Sequence, residues 1–253
     1  MSTTRCAVIT GGAGGIGAAT AERLVERGMA VLIVDRDAAA AEAVVEGLVR
    51  GGGLASFYSA DVSLQGDVVA YVAAAIDRYG RIDAFFNNAG IEGAIGKVED
   101  YPLEMFDQVI AVNLRGMFLS LQHVVPVMRR QGSGAILNTA SQAGVRGVPG
   151  LSGYVASKHA VIGLSQGVAL EAAAAGIRVN CLCPGPTETR MMEDIAVAVR
   201  AAGGNPESFV DRIPLGRFGK AAEIADVAAW ALTDAPAFMT GAVLTVDGAM
   251  TAP

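Results

Sequence analysis

The sequence predicts an α/β fold, in which helices cover both faces of a doubly wound parallel sheet of about seven strands. The first reason is that apolar, β-branched runs alternate with longer Ala-rich amphipathic stretches along the 253 residues. The second is composition, because the chain is 52% hydrophobic and has 32 glycines but few aromatic residues. Such a composition suits a buried sheet under closely packed helices. Since no repeat or interdomain linker is visible, we expect one domain over residues 1–253.

Seven short runs are typical of strands, and right-handed crossovers through the helical stretches between them would place them in one sheet. In chain order the runs are CAVIT, AVLIVD, LASFYSAD, IDAFFNNAG, GAILNTAS, IRVNCLCPG and AVLTVDG. Ser63 is predicted to cap the helix after ADVS. Pro126 is predicted to kink or end a helix spanning about 102–130. Residues 186–218, rich in Met, Gly and Pro, are predicted to be irregular and long enough for a lid or substrate loop.

Charge and cysteine content exclude several classes of function. The chain has 19 Lys and Arg against 25 Asp and Glu, without a long basic run, so neither nucleic acid nor an anionic membrane is the expected partner. The start has no signal-peptide pattern, and no uninterrupted apolar span of about 18 residues occurs, which favours a cytoplasmic protein. Cys6, Cys181 and Cys183 are interpreted as small buried hydrophobes, and no metal site is expected.

A glycine-rich turn, VITGGAGGIGAATAERL, follows the first strand and opens the first helix. In a Rossmann-type unit such a turn lets a pyrophosphate approach the backbone at the helix N-terminus. Two registers fit the letters. One is G-x-G-x-x-G through Gly12, Gly14 and Gly17, and the other is T-G-x-x-x-G-x-G through Gly11, Gly15 and Gly17. A plain tight loop is the alternative interpretation.

Asp35 ends the second strand, about twenty residues after the glycine turn. A carboxylate there can accept hydrogen bonds from the ribose hydroxyls of NAD and would repel the 2′-phosphate of NADP. The turn itself offers NADP no basic residue, although Arg36 follows directly. The sequence therefore predicts NAD, with NADP the less favoured cofactor. The alternative is that Asp35 is a solvated turn acid.

Tyr154 and Lys158 are four residues apart in an otherwise apolar helical stretch, so both side chains are expected on one face. Separately they could be a half-buried aromatic and a surface cation. Together they suggest a base, because an ammonium at about 4 Å and an effective dielectric near 20 favours the phenolate by ~4 kcal/mol. We therefore expect Lys158 to lower the pKa of Tyr154 by up to about three units before solvent screening and burial costs reduce the effect, and an oxidised nicotinamide would add positive charge in the same direction. Ser141, after the strand GAILNTA, is placed to orient a substrate oxygen.

These features together resemble the short-chain dehydrogenase/reductase family, and the resemblance covers essentially the whole chain. The glycine motif spans residues 10–17, NNAG spans 87–90, and PGPTET spans 184–189. Ser141 precedes Tyr154 by thirteen residues, and Lys158 follows four further on. The resemblance implies an alcohol dehydrogenase or carbonyl reductase in which Tyr154 exchanges a proton with the substrate oxygen. It also implies a homotetramer.

The resemblance implies a role for each matching residue. Asn113 would help a water chain deliver protons to Lys158, and completes the catalytic set of Asn113, Ser141, Tyr154 and Lys158. Residues 61 and 62 would flank the adenine, Asn87 and its neighbours would border the ribose, and Thr189 would hold the carboxamide. The cofactor-binding residues expected are Gly11, Gly14, Gly15, Ile16, Gly17, Asp35, Arg36, Asp61, Val62, Asn88, Ala89, Gly90, Tyr154, Lys158, Pro184, Gly185, Thr187 and Thr189. Alternatively, Asn87 and Asn88 satisfy backbone groups, and Asp61 caps a helix.

The substrate walls are expected from mostly apolar segments. A small hydrophobic secondary alcohol or ketone, cyclic ones included, fits them better than a sugar or a polyanion, and NNAGIEG and NTASQAGVRG resemble the family's cyclic ketone and diketone reductases. Arg146 is either a surface residue or a carboxylate contact, and both histidines, His123 and His159, are interpreted as structural. An NADPH-dependent acyl-thioester ketoreductase and a non-catalytic dinucleotide-binding protein are the alternative functions. The walls expected are residues 91–97, residues 142–151, and Met191, Met192, Ile195, Val199 and Phe209.

Overall fold

The computed structural model describes residues 4–201 and 203–252, and each predicted strand forms. The strands are β1 (Cys6–Thr10), β2 (Ala30–Asp35), β3 (Ala55–Ser59), β4 (Ala84–Asn87), β5 (Gly134–Thr139), β6 (Ile177–Pro184), β7 (Thr187–Glu188), β8 (Gly219–Lys220) and β9 (Val243–Val246). The helices are α1 (Gly15–Glu26), α2 (Ala38–Arg50), α3 (Gln65–Tyr79), α4 (Leu103–Ile110), α5 (Met117–Gln131), α6 (Ser152–Ala172), α7 (Arg190–Ala201) and α8 (Ala221–Thr233).

The main sheet has seven parallel strands in the order β3-β2-β1-β4-β5-β6-β9, which confirms the predicted fold class. The chain runs outward from β1 to β3, then returns to the centre and runs outward again from β4. The strand ends are aligned at this reversal, since Thr10 pairs with both Val34 and Asn87, and Asn87 pairs with Asn138. Ligands of doubly wound sheets bind at the carboxyl ends of the strands beside such a reversal.

The sheet separates two apolar layers, as expected for strands that are apolar on both faces. Successive side chains of β1 alternate between them: Val8 belongs to the layer under α3, α5 and α6, and Ile9 to the layer under α1, α2 and α8. Both side chains are fully buried. The two layers fix α1 and α6, the helices that carry the predicted glycine turn and the Tyr-Lys pair.

The predicted cap at Ser63 is wrong, and of the two effects expected of Pro126 the end of the helix does not occur. Ser63 does not cap α3, because its amide and hydroxyl donate to Oδ1 of Asp61 at 2.8 and 2.7 Å, and Leu64 occupies the cap position. Pro126 does not end the helix, which continues to Gln131. Pro126 lies on the exposed face of α5, where water can bond the carbonyl that proline leaves without its helical donor.

The stretch at 186–218 is more regular than predicted. It contains β7, the twelve-residue helix α7, and a 3₁₀ segment over Pro206–Arg212, and β7 pairs in parallel with β8 just beyond it. Met191, Met192 and Ile195 have the spacing of one face of a helix. The prediction overlooked this pattern because it was based on the Met, Gly and Pro content of the stretch. The two-residue pairing between β7 and β8 brings the two ends of the segment together.

Residues Leu103–Gln131 form a continuous helical stretch through α4, a π-helical turn (Ala111–Gly116) and α5. By length and composition it is long and apolar enough to cross a membrane, and the described part of the chain has one such stretch. Its side chains at Val109, Val124 and Met128 are fully buried in this fold. Core helices of water-soluble folds have the same properties.

Candidate active site

A cleft of about 390 Å³ lies at the carboxyl ends of β1, β2, β4, β5 and β6, where the strand order reverses. It brings together nearly all the residues that the sequence singled out. Of the catalytic set and the cofactor-binding residues named above, Gly17 and Asn113 are outside its lining. The predicted residues that line the cleft are Gly11, Gly14, Gly15, Ile16, Asp35, Arg36, Asp61, Val62, Asn88, Ala89, Gly90, Ser141, Tyr154, Lys158, Pro184, Gly185, Thr187 and Thr189.

The glycine turn follows the second of the two registers. Gly11 has a φ of +63°, and a Cβ on Gly17 would lie 2.2 Å from the Gly11 carbonyl oxygen, so neither position accepts a side chain. A Cβ on Gly15 would lie 2.7 Å from Thr189. At Gly14, by contrast, a Cβ would meet nothing within 4 Å. Gly14 stands at the N-cap of α1 and lines the cleft, so the first helix presents bare backbone to it.

Asp35 fixes the turn from the end of β2. Its Oδ2 accepts from the amide of Ala13 at 3.1 Å, and its Oδ1 accepts from the amide of Asp37 at 3.1 Å. The carboxylate lines the cleft between the glycine turn and Arg36. Asp35 is therefore held by the backbone, and the interpretation as a merely solvated turn acid does not describe its setting.

Helix α6 presents Tyr154 and Lys158 to the same end of the cleft, as the four-residue spacing predicts. Lys158 is 3% exposed, and its Nζ lies 5.5 Å from the centre of the Tyr154 ring. The ammonium donates to the carbonyl of Thr139, the last residue of β5, at 2.9 Å. This bond joins the helix to the strand that leads into Ser141.

In the protein by itself, the pKa of Tyr154 is raised, because the burial cost that opposes the expected effect of Lys158 dominates. Burial raises the pKa of Tyr154 to about 12, and the hydrogen bond with Ser141 only opposes that rise. Burial likewise lowers the pKa of Lys158 to about 8. The reason is that burial removes each charged form from water, while the ammonium is directed at a carbonyl oxygen.

Ser141 occupies the cap of a 3₁₀ turn over Gln142–Gly144. Its Oγ accepts from the amide of Ala143 at 3.1 Å, which leaves the hydroxyl proton for another acceptor in the cleft. Ser141 opposes the rise in the pKa of Tyr154, so the two hydroxyls lie near each other and border one position for a substrate oxygen.

Asn113 lies in the π-helical turn and is fully buried. Its Oδ1 accepts from the amide of Ile91 at 2.8 Å, and its Nδ2 donates to the Ile91 carbonyl at 2.8 Å and to Ser157 Oγ at 3.1 Å. A Cβ on Gly90 would lie within 3.3 Å of both Asn113 Oδ1 and Lys158 Nζ. Asn113 and Lys158 therefore both border Gly90, and the π-helical turn places Asn113 there, as such turns do at many functional sites.

The two asparagines of NNAG differ. Asn87 is buried and donates to the carbonyl of Met117 and to Asn138 at 3.1 Å each, so it satisfies polar groups within the core and does not border the cleft. Asn88 lines the cleft, but its Nδ2 also donates to the carbonyls of Thr10 and Gly11 at 3.2 Å. Asp61 likewise lines the cleft while accepting the two bonds from Ser63.

The substrate walls form only partly as predicted. From residues 91–97 only Ile91 lines the cleft, and Val199 does not line it. Arg146 lines it, but its Nε donates to Gln142 at 2.8 Å and its Nη1 to the carbonyl of Met250 at 3.0 Å. The sequence missed Met250 entirely, since no motif or periodicity distinguishes it. The predicted wall residues that do line the cleft are Ile91, Gln142, Ala143, Arg146, Val148, Leu151, Met191, Met192, Ile195 and Phe209.

The histidines and cysteines lie away from this chemistry. His159 is exposed and bonds the carbonyl of Val155 at 2.9 Å, and neither it nor His123 lines the cleft. Cys6, Cys181 and Cys183 are free thiols and are buried, as predicted.

Fold and cleft together define a dinucleotide-dependent oxidoreductase. The side-chain space open at Gly14, the backbone at the α1 N-terminus and the carboxylate of Asp35 suit a phosphate bridge and a ribose. Ser141, Tyr154 and Lys158 supply hydroxyls and a cation at the other end.

Comparison with known proteins supports the assignment to the dinucleotide-dependent oxidoreductases. Residues 11–251 match the family model described as enoyl-(acyl carrier protein) reductase. The chain is 41% identical over 256 residues to levodione reductase of Leifsonia aquatica, covering 99% of this chain and 95% of that one. It is 39% identical over 247 residues to cyclohexanol dehydrogenase of Acinetobacter sp. (strain SE19), covering 98% and 95%.

Solved structures agree as well. The crystal structure of levodione reductase matches with a TM-score of 0.93 and 40% identity over 100% of both chains. NAD+-bound xylitol dehydrogenase matches with a TM-score of 0.92 and 36% identity over 98% of both. An actinorhodin polyketide ketoreductase with NADPH matches with a TM-score of 0.93 and 31% identity over 100% of both. The chain belongs to the short-chain dehydrogenase/reductase family, whose members named here are dehydrogenases and reductases.

Proposed function

We propose that the protein interconverts a small hydrophobic secondary alcohol, cyclic ones included, and its ketone, with NAD as cofactor. The observation that carries the proposal is the meeting of Ser141, Tyr154 and Lys158 on one cleft beside the glycine turn. The alternative of a binding protein without turnover would leave the buried cation and the two hydroxyls unexplained. Burying a charge costs free energy, and buried ionisable groups that line a cleft are concentrated at active sites.

Each side chain has a distinct task in this proposal. The cleft residues of the glycine turn and Thr189 would hold the dinucleotide, which would supply the hydride acceptor for alcohol oxidation and the hydride donor for ketone reduction. Ser141 donates a hydrogen bond to the substrate oxygen and holds it beside Tyr154. Tyr154 takes the proton from that oxygen during oxidation and gives it back during reduction. Lys158 stabilises the phenolate that accepts this proton, and Asn113 helps a water chain to deliver protons to Lys158.

The substrate class follows from the cleft lining. Met192, Ile195, Phe209 and Leu151 supply apolar surface around the end that holds Tyr154, and an apolar pocket with a few polar groups is typical of small organic ligands. The relatives named for levodione and cyclohexanol act on cyclic compounds, which supports a cyclic substrate here. A polyanionic substrate is not favoured, because Arg146 already donates to Gln142 and to the Met250 carbonyl.

The preference for NAD is supported by Asp35, whose carboxylate lies where an adenosine ribose would approach the end of β2. The NAD+-bound xylitol dehydrogenase supports it as well, whereas the NADPH-bound ketoreductase favours the alternative of an NADPH-dependent acyl-thioester reductase. A long acyl thioester would also have to pass the apolar wall formed by α7.

The proposed enzyme is a cytoplasmic homotetramer. The family resemblance supports the tetramer, and so do large apolar side chains that this chain leaves on its surface, including Leu170, 84% exposed, and Phe238, fully exposed. Apolar residues on a protein surface are frequent where copies of a chain pack together.

Initial rates of cofactor reduction across a panel of alcohols test the proposal. The panel contains cyclohexanol, linear secondary alcohols, xylitol and a 3-hydroxyacyl thioester, each with NAD and with NADP. We expect the highest kcat/KM with a cyclic alcohol and NAD. Turnover of the thioester with NADP alone would establish the alternative function. NAD binding by calorimetry without turnover of any alcohol would establish a binding protein.

Replacing Asp35 by Ser tests the basis of the cofactor preference. We expect the ratio of kcat/KM with NADP to that with NAD to rise by about tenfold or more, because the repulsion of the 2′-phosphate is removed. Asp37→Ser is the matched control, since it removes a carboxylate two residues away that lies outside the cleft lining, and a serine can still cap α2. A wild-type enzyme that already prefers NADP would contradict the assignment.

A further inference from the structure

The C-terminal turn, residues 247–251, closes one side of the cleft. It follows β9 and carries Met250, which is 8% exposed and lines the same cleft as Ser141 and Tyr154. None of the motifs that define the catalytic and cofactor residues includes it. The turn is therefore a part of the site whose role the proposed chemistry leaves open.

The backbone of this turn is held in a disfavoured conformation. Ala249 has a φ of +69°, and it is the one non-glycine residue with positive φ among those that the structure describes. That conformation costs an L-residue about 1 kcal/mol or more. The turn is closed around it, because the Asp247 carboxylate accepts from both the amide and the hydroxyl of Thr251. Strain that the surrounding structure maintains is typical of functional sites.

Arg146 connects the turn to the catalytic loop. Its Nη1 donates to the Met250 carbonyl at 3.0 Å, and its Nε donates to Oε1 of Gln142 at 2.8 Å. Gln142 follows Ser141 directly. The guanidinium thus fixes the distance between Met250 and the residue that orients the substrate oxygen.

The other side of the turn contacts the segment after α7. The amide of Leu215 donates to the Gly248 carbonyl at 3.3 Å, and a Cβ on Gly248 would lie 2.7 Å from Ile213. This segment follows the 3₁₀ turn that places Phe209 in the cleft. The C-terminal turn therefore spans the gap between two walls of the substrate region, and Met250 is the side chain it places there.

We propose that Met250 determines substrate specificity by limiting the size of the alcohol, and that Arg146 is a positioning residue that holds Met250 in place. This proposal rests on the proposed function. An unbranched thioether side chain fills the space between the two walls, so a ring with a bulky substituent would collide with it. The bond from Arg146 prevents the turn from moving aside, because a displacement of Met250 would break the hydrogen bond between its carbonyl and the guanidinium.

The first experiment compares cyclohexanol with 4-tert-butylcyclohexanol, both with saturating NAD. In Met250→Ala we expect the ratio of kcat/KM for the bulky alcohol to that for cyclohexanol to rise by about tenfold or more, the usual effect of a few methylene-sized groups in an apolar pocket. Met239→Ala is the matched control, because it removes the same side chain from a partly buried position outside the cleft lining. We expect it to leave the ratio unchanged.

The second experiment separates positioning by Arg146 from a general structural role. Arg146→Met keeps the length of the side chain but removes its donors, and should shift the size ratio in the same direction, raise KM for cyclohexanol, and leave the Kd of NAD within about twofold. Arg146→Lys should restore part of the wild-type ratio, because one donor remains. In the double variant with Met250→Ala we expect no further shift, since both changes would act through one side chain.

The outcomes distinguish the two levels of the proposal. An unchanged size ratio in Met250→Ala, in an enzyme that oxidises cyclohexanol, would overturn the assignment of Met250. Additive shifts in the double variant, or a loss of NAD affinity as large as the change in KM, would overturn the role of Arg146. Failure of the wild type to oxidise any alcohol in the panel would instead overturn the proposed function, and the size-limiting role with it.

Discussion

Tyr154→Phe is expected to reduce kcat for alcohol oxidation by about 10³-fold, because the substrate oxygen loses the group that accepts its proton. The phenyl ring keeps the packing of the tyrosine ring at the cleft, so the fold and the affinity for NAD should change little. Stopped-flow or steady-state measurement of cofactor reduction gives kcat, and calorimetry gives the affinity for NAD. The reverse reaction, ketone reduction, should fall by a similar factor, since the same hydroxyl returns the proton.

Tyr79→Phe is the control for this experiment. It also removes one phenolic hydroxyl, which bonds Ser56 at 2.7 Å and lies outside the cleft lining. We expect Tyr79→Phe to keep wild-type kcat, with a small loss of stability from the missing hydrogen bond. Near-normal turnover in Tyr154→Phe would end the proposed mechanism, because that mechanism assigns the proton transfer to the Tyr154 hydroxyl alone.

Lys158→Met is expected to abolish turnover and yet to stabilise the fold at pH 7. Burial lowers the pKa of Lys158 from 10.5 to about 8, so below pH 8 the folded protein holds a charged ammonium that the unfolded chain solvates better. The penalty is about 3 kcal/mol, and loss of the bond to Thr139 offsets about 1 kcal/mol of the gain. The net effect at pH 7 is ~2 kcal/mol, or a rise in Tm of about 5 °C.

The stability difference between Lys158→Met and the wild type should depend on pH. Between pH 8 and 10.5 the unfolded chain binds more protons at Lys158 than the folded protein does, so the free energy of unfolding of the wild type rises with pH in this range. The advantage of Lys158→Met should therefore shrink above pH 8 and reverse near pH 10, where the remaining penalty falls below the ~1 kcal/mol of the lost bond to Thr139. Thermal unfolding at pH 7, 8.5 and 10 measures it. Lys97→Met, at an exposed lysine, should show no such trend, and a wild type more stable than Lys158→Met at pH 7 would contradict the account.

Local sequence was sufficient to predict the succession of strands along the chain and most of the residues that line the cleft. The strands alternate with helices in a pattern that depends only on near neighbours, and the Tyr-Lys spacing places both side chains on one helix face whatever the helix packs against. Prediction was weaker at boundaries. Ser63 has the composition of a cap, but the Asp61 carboxylate competes for its donors, and α7 was hidden in a stretch judged by its glycines and prolines.

The sequence by itself determined the fold class, the glycine turn and most of the residues that line the cleft, because each depends on spacings of a few residues. Only the tertiary structure decided which carbonyl receives the ammonium of Lys158, why burial raises the pKa of Tyr154, and which side chain closes the cleft. The bond between Arg146 and Met250 spans 104 residues of chain. Contacts of that range and the loss of water around a charge arise only when the whole sheet and its helices have assembled, and no local pattern records them.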